Sequence, residues 1–517
     1  MGARGSITEC RLERAGSRRV PEALQPALEG FIKRFGAERP VGIARVPGRL
    51  NVLGMHIDHR GGYVNPMALG REVVLVFSPA DDDTVDVVNL DEALGRRTFH
   101  IAEVKPPRKV SCTEAWLDWT QRLSQARVES GGAHDWTHKL AAPGVYLSQF
   151  AFPDRPIRGL VGVMTGNIPP RVGLSSSSAV VVGMMLATMA VNCISVSREE
   201  LVEHCGVAEW YVGTRGGFGD HAAIVCSRAG QLVHLRTVPE LKIAGYVPFA
   251  KAYRLLVFHS GHDADKTGAA GNLFNERTAT YEMAELLAAR FLRERHTSLW
   301  QEMSEAHKTL ANPKPLHLGD IAERLTSAEI YQLLASIPEQ ADRKEVKGML
   351  SAESEAIARQ FATHREPTEG YRLRGVLLYG IAECARAIRG GELLRRGDID
   401  GFGRLMRLSH DGDRVSGIDG KLAALKRGLD TTLDISEQPG DYACSTPEID
   451  AMVDIALEAG AVGAQVSGAG LGGSMMALIE AAREDDLVRA MRREYYTPRG
   501  IEPNYLPAVP SAGATLL

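Results

Sequence analysis

The stretch Gly173-Leu174-Ser175-Ser176-Ser177-Ser178-Ala179 stands directly before an apolar run over residues 180–191. Residues 160–164 predict a strand and residues 167–170 a turn, so the serines fall where a buried helix begins. The first turn of a helix has backbone N–H groups without intrahelical partners and a partial positive charge, and it therefore favours an anion. Because its glycine also lets the backbone approach a ligand, the stretch is a candidate phosphate loop, and an ordinary serine-capped core helix is the alternative.

The composition is that of an ordinary soluble globular protein, with 44% hydrophobic and 24% charged residues. At about 100–200 residues per domain, a chain of 517 residues is expected to form two or three domains. The 60 basic and 64 acidic residues leave a net charge of −4, which argues against a nucleic-acid partner. Residues 173–197 carry no charge, but their predominantly apolar part, residues 179–191, is shorter than the about 20 residues of a membrane span. No membrane partner is expected.

The N-terminal residues and the cysteines indicate the compartment. The N-terminal residues are rich in arginine but lack an apolar segment, so no secretory signal is predicted. The 7 cysteines stand singly, without a C-x-x-C pair, which favours neither a disulfide framework nor a zinc ribbon. None of the 15 histidines stands in an H-E-x-x-H pattern. We therefore expect a cytoplasmic protein, and its oligomeric state stays open.

Periodicity and turn residues predict a mixed chain of helices and strands. Helices are expected over residues 21–35, 135–152, 180–191, 199–211, 275–295, 374–394, 398–408 and 446–460. Strands are expected over residues 43–46, 73–77, 84–89, 160–164, 224–235 and 253–259.

Two polar regions interrupt this pattern. Residues 95–135 are charge-rich and are predicted to be irregular, with Trp116 and Trp119 as their anchors. Residues 312–370 are predicted to be an embellishment of the fold.

The pattern of predicted helices and strands is interrupted around residues 240–252, and we place the boundary between two lobes there. We expect an N-terminal lobe over residues 1–245 and a C-terminal lobe over residues 246–517, with a helical insertion at about residues 295–370. Both sets of candidate functional residues described next fall in the first lobe.

Residues 49–68 place an arginine, histidines and an aspartate between glycines and directly beside apolar strand residues. Polar residues in such a position compete poorly for the core, and loops on a rigid scaffold tend to carry function. We interpret this stretch as a functional loop, with a solvated surface loop as the alternative. Residues 213–221 form a second glycine-rich turn, which contains Asp220 near its end.

A third glycine-rich stretch, Ser467-Gly468-Ala469-Gly470-Leu471-Gly472-Gly473, precedes the apolar run at residues 475–479. A lone G-x-G-x-x-G is weak evidence, and this one does not open a βαβ unit near the N-terminus, as a dinucleotide-binding fold requires. No G-x-x-x-x-G-K-[ST] loop occurs in the chain. A phosphate site in this protein therefore has another design.

Three of these stretches resemble the motifs of one family, the GHMP kinases. The run Pro47-Gly48-Arg49-Leu50-Asn51-Val52-Leu53-Gly54-Met55-His56-Ile57-Asp58 resembles the galactokinase signature P-G-R-x-N-x-x-G-E-H-x-D. Residues 173–177 look like the second motif of the family and residues 466–473 like the third. The order and the wide spacing match, and the resemblance runs from about residue 40 to about residue 480. Asn275-Glu276-Arg277 and Ser409-His410 also resemble family segments.

The resemblance implies an α+β, two-lobed GHMP kinase fold. Its N-terminal lobe would be of the ribosomal-protein-S5-like α/β type and its C-terminal lobe ferredoxin-like. ATP and Mg²⁺ would lie between the lobes, and a sugar would be phosphorylated at its anomeric C1 hydroxyl. Phosphoryl transfer depends mostly on positioning and charge neutralisation, which the glycine-rich loops and the charged residues suit.

The same resemblance implies roles for individual residues. Asp220 matches the catalytic acid that takes or orients the O1 proton, and Arg49 matches the arginine that steadies Asp220 and the transferring phosphoryl group. Ser177 matches the hydroxyl that ligates magnesium. The helical glutamate that completes the metal site should lie about one residue before Glu209, where Ala208 stands, so Glu209 is a candidate metal ligand.

Two further sets of positions follow from the resemblance. The ATP-binding positions are Gly173, Leu174, Ser175, Ser176, Ser177, Ser178, Gly468, Gly470 and Gly472. The sugar-contacting positions are Met55, His56, Asp58, Gly217 and Phe274.

Four positions depart from the family's pattern. Met55 replaces the glutamate that contacts the hydroxymethyl end of the sugar in galactokinases, and Phe274 stands where the family has tyrosine. His221 replaces a glutamine after Asp220. Arg171 replaces a glycine of the phosphate loop.

The identity of the sugar depends on Met55. A site built to hydrogen-bond a hydroxyl discriminates strongly for it, and loss of the partner removes that discrimination. A carboxylate at C6 would repel glutamate but tolerate methionine, and residues 54–62 look closer to galacturonokinases (G-A-H-I-D-H-x-G-G) than to galactokinases. Arg60 or Arg215 would supply the positive charge that a uronate needs, with an exposed surface arginine as the alternative for each. Galactose, galacturonate and arabinose all stay open as substrates.

Two other functions have to be weighed against a sugar 1-kinase. A non-catalytic sugar sensor would keep the fold without turnover; Arg171, His221 and the two polar regions favour it, whereas an intact Asp220 and Arg49 oppose it. A mevalonate- or homoserine-type GHMP kinase would leave the sugar signature around His56 without a role.

Overall fold

The computed structural model of the chain describes residues 13–14, 24–110, 112–132, 135–169, 172–213, 217–262, 268–307, 316–417 and 429–517. These residues form a mixed assembly of helices and mostly antiparallel strands, so the predicted α+β class is confirmed. Within them, no helix combines the length and the apolar character that crossing a membrane requires.

The strands are, in chain order, β1 (Glu13–Arg14), β2 (Pro40–Asn51), β3 (Tyr63–Val64), β4 (Pro66–Pro79), β5 (Thr84–Asn89), β6 (Arg96–His100), β7 (Leu160–Gly166), β8 (Gln231–Arg236), β9 (Lys242–Pro248), β10 (Tyr253–His259), β11 (Gly463–Ser467), β12 (Ser474–Glu480), β13 (Tyr505–Ala508), β14 (Pro510–Ser511) and β15 (Thr515–Leu516). The helices are α1 (Gln25–Phe35), α2 (Ile101–Val104), α3 (Thr113–Glu129), α4 (Thr137–Tyr146), α5 (Ser176–Val191), α6 (Arg198–Glu209), α7 (Gly219–Cys226), α8 (Gly268–Arg295), α9 (Thr297–His307), α10 (Leu318–Arg324), α11 (Ser327–Ala335), α12 (Arg343–Met349), α13 (Ser354–Phe361), α14 (Leu373–Arg396), α15 (Ile399–Asp413), α16 (Pro447–Glu458), α17 (Glu484–Met491) and α18 (Thr497–Arg499).

The strands form three sheets. The first has the order β1-β2-β4-β7-β5-β6, with β14 added to β4 and β15 added to β2. Its strand pairs are antiparallel except for β5 with β7. The second sheet, β11-β12-β10-β13, and the third, β3-β8-β9, are antiparallel throughout.

Helix α5 lies against the first sheet and carries the serine stretch at its start. It packs against β2, β4, α4, α6 and α7, and nearly all its side chains after Ser178 are buried. A helix that is apolar on every face is stable only when it is covered on every face, which explains the uncharged run in the sequence. The helix predicted at residues 180–191 and the strand predicted at residues 160–164 are both confirmed.

The last long helix also follows the sequence signals. Thr446 caps α16, and its side chain accepts a hydrogen bond from the N–H of Ile449, three residues later. Proline at the first helical position loses no hydrogen bond, because a backbone N–H there would have no partner within the helix. The predicted stripe of Ile449, Met452, Val453 and Ala456 is buried against the second sheet.

The two polar regions are more ordered than the sequence predicts. Residues 95–135 are not irregular, because they include β6, α2 and α3. Their predicted anchors are confirmed: the Trp116 ring is fully buried, lies 5.4 Å from the Trp119 ring and donates its indole N–H to the carbonyl of Val207. A charged outer face masked the helical period of α3.

The region at residues 312–370 is likewise not an embellishment. Helices α10 to α13 lie within it, and α10 and α11 contribute buried side chains such as Leu318, Ile330 and Leu334 to the main core. Capping boxes at Thr326 and Asp342 start two of these helices. Short helices with polar outer faces account for the polar composition.

The strand predicted at residues 224–235 is wrong in its first half. Residues 224–226 end helix α7, and β8 begins only at Gln231. In a short apolar run that is buried on all sides, polar residues do not recur at a helical or a strand spacing. The sequence pattern therefore does not distinguish a helix from a strand there. This correction matters because α7 carries Asp220.

The chain returns to the first sheet at its C-terminal end. Strand β10 begins the second sheet near the predicted lobe boundary, but β14 and β15 pair with β4 and β2 of the first sheet. The backbone N–H of Ala514 donates to the carbonyl of Ile224 at 2.7 Å. The division into residues 1–245 and 246–517 stays a prediction, and residues 510–516 depart from it.

Changing Ala514 to glutamate tests this return of the chain. Ala514 is 2% exposed, so a glutamate there would bury a carboxylate without a partner. We expect Ala514→Glu to lower the free energy of unfolding by about 3 kcal/mol, measured by urea denaturation. Ala512→Glu, at an exposed position of the same segment, is the control and should change it by less than about 0.5 kcal/mol. Equal losses in both variants would contradict the packing of Ala514.

Candidate active site

The serine stretch forms a tight loop that meets the third glycine-rich stretch. Ser175, directly before α5, has left-handed backbone angles (φ 57°, ψ 44°), and Gly173 has φ 81°. A Cβ atom at Gly173 would lie 3.2 Å from the carbonyl oxygen of Ser467, and one at Gly468 would lie 3.5 Å from the Cα of Gly173. The second and third motifs, separated by almost 300 residues, are therefore in backbone contact.

The third motif is a loop of left-handed residues. Positive φ angles occur at Gly468, Gly470, Leu471, Gly472 and Gly473. A Cβ atom at Gly470 would lie 2.1 Å from the carbonyl oxygen of Cys444, so this position accepts only glycine. The N–H of Leu471 donates to the same carbonyl at 2.8 Å, which fixes the loop to the segment before α16.

Asp220, in the first turn of α7, is held by two partners from the other motifs. Arg49 Nε donates to Asp220 Oδ1 at 2.6 Å, and the Ser175 hydroxyl donates to Oδ2 at 2.5 Å. Arg49 Nη1 also donates to the carbonyl of Gly173 at 2.7 Å. Burial alone would raise the pKa of Asp220, but the Arg49 guanidinium and the Ser175 hydroxyl outweigh it and hold the pKa well below its usual range. The Asp220 side chain is 36% exposed, which leaves the carboxylate open to a ligand.

Glu209, at the end of α6, lies beside the serines of α5. Ser177 Oγ donates to Glu209 Oε1 at 3.0 Å, and Ser178 Oγ donates to Oε2 at 2.9 Å. His221 Nε2 lies 2.7 Å from Glu209 Oε2. Burial opposes ionisation, but His221 and the Ser178 hydroxyl bring the pKa of Glu209 below its usual value. Ala208, the position that the family's spacing indicates, is buried and offers no ligand atom.

These groups fit a magnesium ion. Mg²⁺ prefers oxygen ligands and is usually held by one or two carboxylates together with substrate phosphates. The two predicted metal ligands, the Ser177 hydroxyl and the Glu209 carboxylate, are adjacent, and both offer oxygen atoms as that preference requires. Their assignment as ligands stays a prediction.

The loop with His56 and Asp58 packs against the loop before α7. A Cβ atom at Gly217 would lie 2.6 Å from Asp58 Oδ2, so glycine is needed for this approach. His59 Nδ1 lies 3.0 Å from Asp58 Oδ1. Burial would raise the pKa of Asp58, but the hydrogen bond and the charge of His59 bring it below the usual value. Asp58, Gly217 and Asp220 are thus neighbours, as the sugar and catalytic assignments require.

His56 has a left-handed backbone (φ 60°) and a firmly held ring. Its Nε2 lies 3.1 Å from Asp413 Oδ2, and its ring stacks on Tyr442 with 4.4 Å between the ring centres. Burial opposes a charged ring, but the Asp413 carboxylate outweighs it and raises the pKa of His56.

Met55 is 2% exposed, and its main chain is anchored by a buried carboxylate. Glu383 Oε1 accepts the N–H of Gly54 at 2.9 Å and the N–H of Met55 at 2.8 Å. The Asn51 side-chain amide donates to the carbonyl of Gly54 at 2.8 Å and lies 3.7 Å from the Met55 sulfur. The main chain at residue 55 is therefore held by Glu383 and Asn51.

Sequence reasoning missed the residues of the second half that hold this loop. They are Tyr379, Glu383, Asp413 and Tyr442. None of them belongs to the three motifs: Tyr379 and Glu383 lie on α14, Asp413 ends α15, and Tyr442 lies in the segment before α16. The Ser409-His410 segment was the nearest signal, because Ser409 Oγ donates to Glu383 Oε1 at 3.0 Å.

Other predicted site residues have different outcomes. Phe274 is half-buried in α8, three residues before Arg277, whose guanidinium donates to the carbonyl of Tyr442. Arg171 and Arg215 lie outside the described residues.

The suggestion that Arg60 supplies charge to a uronate is wrong. Arg60 is buried, its Nη1 donates to Glu282 at 2.7 Å and to Glu285 at 3.0 Å, and its guanidinium lies over the Tyr281 ring. The alternative of an exposed surface arginine is wrong as well. A buried arginine with two carboxylate partners is already neutralised, so it belongs to the core.

Comparison with known proteins places these motifs in one family. Three family models match in order along the chain: the galactokinase galactose-binding signature over residues 29–79, the GHMP kinases N terminal domain over residues 145–228, and the GHMP kinases C terminal domain over residues 437–497. The chain is similar to the galactokinase of Streptomyces coelicolor, with 25% identity over 493 residues that cover 95% of this chain and 97% of that protein. It is similar to the galactokinase of Saccharomyces cerevisiae, with 24% identity over 529 residues that cover 93% and 92%.

Comparison of the fold with solved structures also indicates similarity to galactokinases. The chain is similar to the crystal structure of Lactococcus lactis galactokinase complexed with galactose, with a TM-score of 0.64 and 20% identity over 95% of this chain and 99% of that one. This likeness confirms the GHMP kinase fold that the motifs implied. The three family models matched in order around the site described above, together with the full-length similarity to galactokinases, make the chain galactokinase-like in its motifs, sequence and fold.

Proposed function

We propose that the protein is an ATP- and Mg²⁺-dependent sugar 1-kinase, which transfers the γ-phosphoryl group of ATP to the anomeric hydroxyl of a galacto-configured sugar. The observation that carries this proposal is the pair of contacts at Asp220, with Arg49 at 2.6 Å and with the Ser175 hydroxyl at 2.5 Å. They join a candidate acid–base group, a cation and a candidate phosphate loop at the start of α5.

In the proposed step, the O1 oxygen of the sugar attacks the γ-phosphorus and the bond from that phosphorus to the bridging oxygen of ADP breaks. The O1 proton passes to Asp220 and from there to solvent. Because its pKa lies well below the usual range, Asp220 is a weak base. It therefore acts mainly by accepting a hydrogen bond from O1–H, which orients the oxygen, and it takes the proton late. A loose transition state needs little earlier deprotonation.

The residues around Asp220 supply charge and position. Arg49 keeps the carboxylate ionised and adds positive charge where charge develops on the transferring group. The free N–H groups at the start of α5 and the glycines of the third motif suit the phosphates of ATP. Ser177 and Glu209 would hold Mg²⁺, which when bound supplies charge neutralisation at the phosphates.

The sugar site is proposed beside Asp220, among His56, Asp58 and Gly217. Asp58 has a pKa below its usual value, so its carboxylate is an acceptor at neutral pH. In the family that the sequence resembles, this carboxylate accepts from ring hydroxyls that include O4. That correspondence supports a galacto configuration.

We further propose that the preferred sugar is altered at C6, as in a uronic acid. Met55 offers a thioether in place of a carboxylate, and a thioether cannot replace the carboxylate's hydrogen bonds to a hydroxymethyl group. Arg60 no longer supports this choice. A His56 ring with a raised pKa favours an anionic substituent instead.

A non-catalytic sugar sensor is the less favoured function. Of its supporting features, Arg171 lies outside the described residues, and His221 contacts Glu209. The described parts of the two polar regions are ordered and contribute buried side chains to the core. A protein without turnover would not need the ion pair between Arg49 and Asp220, which is formed in this structure.

A screen of ADP release tests the proposed activity. With ATP and Mg²⁺ present, galactose, galacturonate, arabinose, glucose and glucuronate are compared with a sugar-free control. We expect ADP release with at least one galacto-configured sugar, and loss of that release when EDTA removes the metal. Silence on every sugar would contradict the proposal, and sugar-dependent binding of a partner protein would then favour the sensor.

Asp220→Asn tests the role of the carboxylate. The change removes the charge and keeps the volume, so we expect kcat to fall by about 10²-fold or more while the Kd for ATP stays within about twofold. Asp86→Asn is a matched control, because it disrupts a similar pair with Arg96 (Nη2 to Oδ2, 2.6 Å) in the first sheet, and it should leave kcat within about twofold. Full activity of Asp220→Asn would show that another group orients O1.

Met55→Glu tests the identity of the C6 group. We expect it to shift the ratio of kcat/KM for galactose over galacturonate by about tenfold or more toward galactose, where each tenfold is about 1.4 kcal/mol of differential transition-state binding. Met55→Leu keeps an apolar side chain and should leave the ratio within about threefold. If the wild type already prefers galactose by about a hundredfold, about 2.7 kcal/mol on the same scale, it is a galactokinase in the ordinary sense.

A further inference from the structure

The ring of His56 is held by Asp413 and Tyr442 of the second half of the chain, and Tyr379 in turn holds the Asp413 carboxylate. Asp413, the last residue of α15, places Oδ2 at 3.1 Å from His56 Nε2. The Tyr379 hydroxyl, on α14, donates to the same oxygen at 3.0 Å. Tyr442 stacks on the ring with an interplanar angle of 25°.

This arrangement fixes which ring nitrogen faces a ligand. The Asp413 carboxylate can only accept, so His56 Nε2 carries the proton of this hydrogen bond. Nδ1 is then the ring atom available to a bound sugar, and a carboxylate on the opposite nitrogen makes a histidine a more effective partner for its ligand. The stack on Tyr442 holds the ring plane, and a ring turned over by 180° would lose the hydrogen bond to Asp413.

The buried position of Asp413 shows that this carboxylate depends on its partners. Its side chain is fully buried, and a buried carboxylate without hydrogen-bond partners is strongly unfavourable. Its other oxygen accepts the N–H of Cys444 at 3.4 Å. The described donors to Asp413 therefore include the side chains of His56 and Tyr379, of which His56 belongs to the proposed sugar site.

Two separate anchors hold the signature loop. Glu383 fixes its backbone at Gly54 and Met55, and Asp413 fixes the His56 ring. The left-handed backbone of His56 is unfavourable for a residue with a side chain, and such conformations persist where the surroundings enforce them. The anchor at Glu383 already fixes the backbone of the loop. The additional anchor at Asp413 is explained if the His56 ring has to be held in place to contact a ligand.

We propose that Asp413 is a positioning residue for sugar recognition, which acts through His56 by holding its Nε2–H and presenting Nδ1 to a hydroxyl or carboxylate of the sugar. The proposal rests on the proposed function as a sugar kinase. It assigns to α15, which none of the three motifs covers, a part in selecting the sugar and no part in binding ATP.

Steady-state kinetics of Asp413→Asn test this role. We expect the KM for the sugar to rise by about tenfold, because the amide has no negative charge to hold the His56 N–H and its NH2 group cannot accept the N–H of Cys444 as the second carboxylate oxygen does, while the KM for ATP stays within about twofold. Tyr379→Phe, which removes only the second donor, should raise the KM for the sugar by a smaller factor in the same direction. If Asp413→Asn fails to fold, the Tyr379→Phe result decides the question.

A double-mutant cycle separates positioning from a general structural role. In a His56→Gln background, adding Asp413→Asn should cause no further rise in the KM for the sugar, because the residue through which Asp413 acts is gone. Asp450→Asn is the matched control: His410 Nε2 lies 3.2 Å from Asp450 Oδ1, both side chains are buried, and neither has a described contact with His56. It should leave the KM for the sugar within about twofold.

Each outcome has a distinct meaning. Additive effects of Asp413→Asn and His56→Gln, an equal rise in both KM values, or a KM for the sugar within twofold of the wild type would overturn the role of Asp413 alone. A wild type that phosphorylates no sugar would overturn the proposed function itself. Non-additive effects confined to the sugar would support the positioning role.

Discussion

The ion pair between Arg49 and Asp220 is the interaction on which the rest of the site depends. It joins β2 to α7 across 171 residues of sequence, and the same arginine also holds the carbonyl of Gly173. Charges that are partly withdrawn from water attract each other more strongly than at the surface, and each becomes unfavourable if the other is removed. The signature loop, the serine stretch and the start of α7 are therefore fixed together, and no one of them can move without breaking this contact.

Residues from the second half of the chain also hold the signature loop and the serine stretch in place. Glu383 reaches Gly54 across 329 residues, Asp413 reaches His56 across 357, and Ser467 contacts Gly173. The sugar signature is continuous in sequence, but its conformation depends on contacts with helices that are far away along the chain. The return of the last strands to the first sheet adds to this coupling, because it ties the C-terminal end to the strand that carries Arg49.

The sequence predicts what is local and leaves out what is long-range. The Thr446 cap, the buried helix after the serine stretch, and the meeting of motifs around Asp220 follow from residue spacing or from the family resemblance, and the structure contains all of them. Arg60 shows the limit: its charge is evident from the sequence, but its carboxylate partners on α8 lie more than 200 residues away, so its burial could not be foreseen. Asp413 was missed for the same reason.

Three carboxylates, Asp58, Glu209 and Asp220, meet where α5 and α7 begin, and their negative charges oppose one another. The charge of Asp220 acts to raise the pKa of both Asp58 and Glu209. Each stays ionised because it has its own partner: Arg49 for Asp220, His221 for Glu209 and an adjacent histidine for Asp58. A polyphosphate brought to this place would add further negative charge, which one arginine and the helix N-terminus offset only in part. A divalent cation at Glu209 would remove the remaining repulsion, and this is the physical reason why the proposed reaction requires Mg²⁺ as well as ATP.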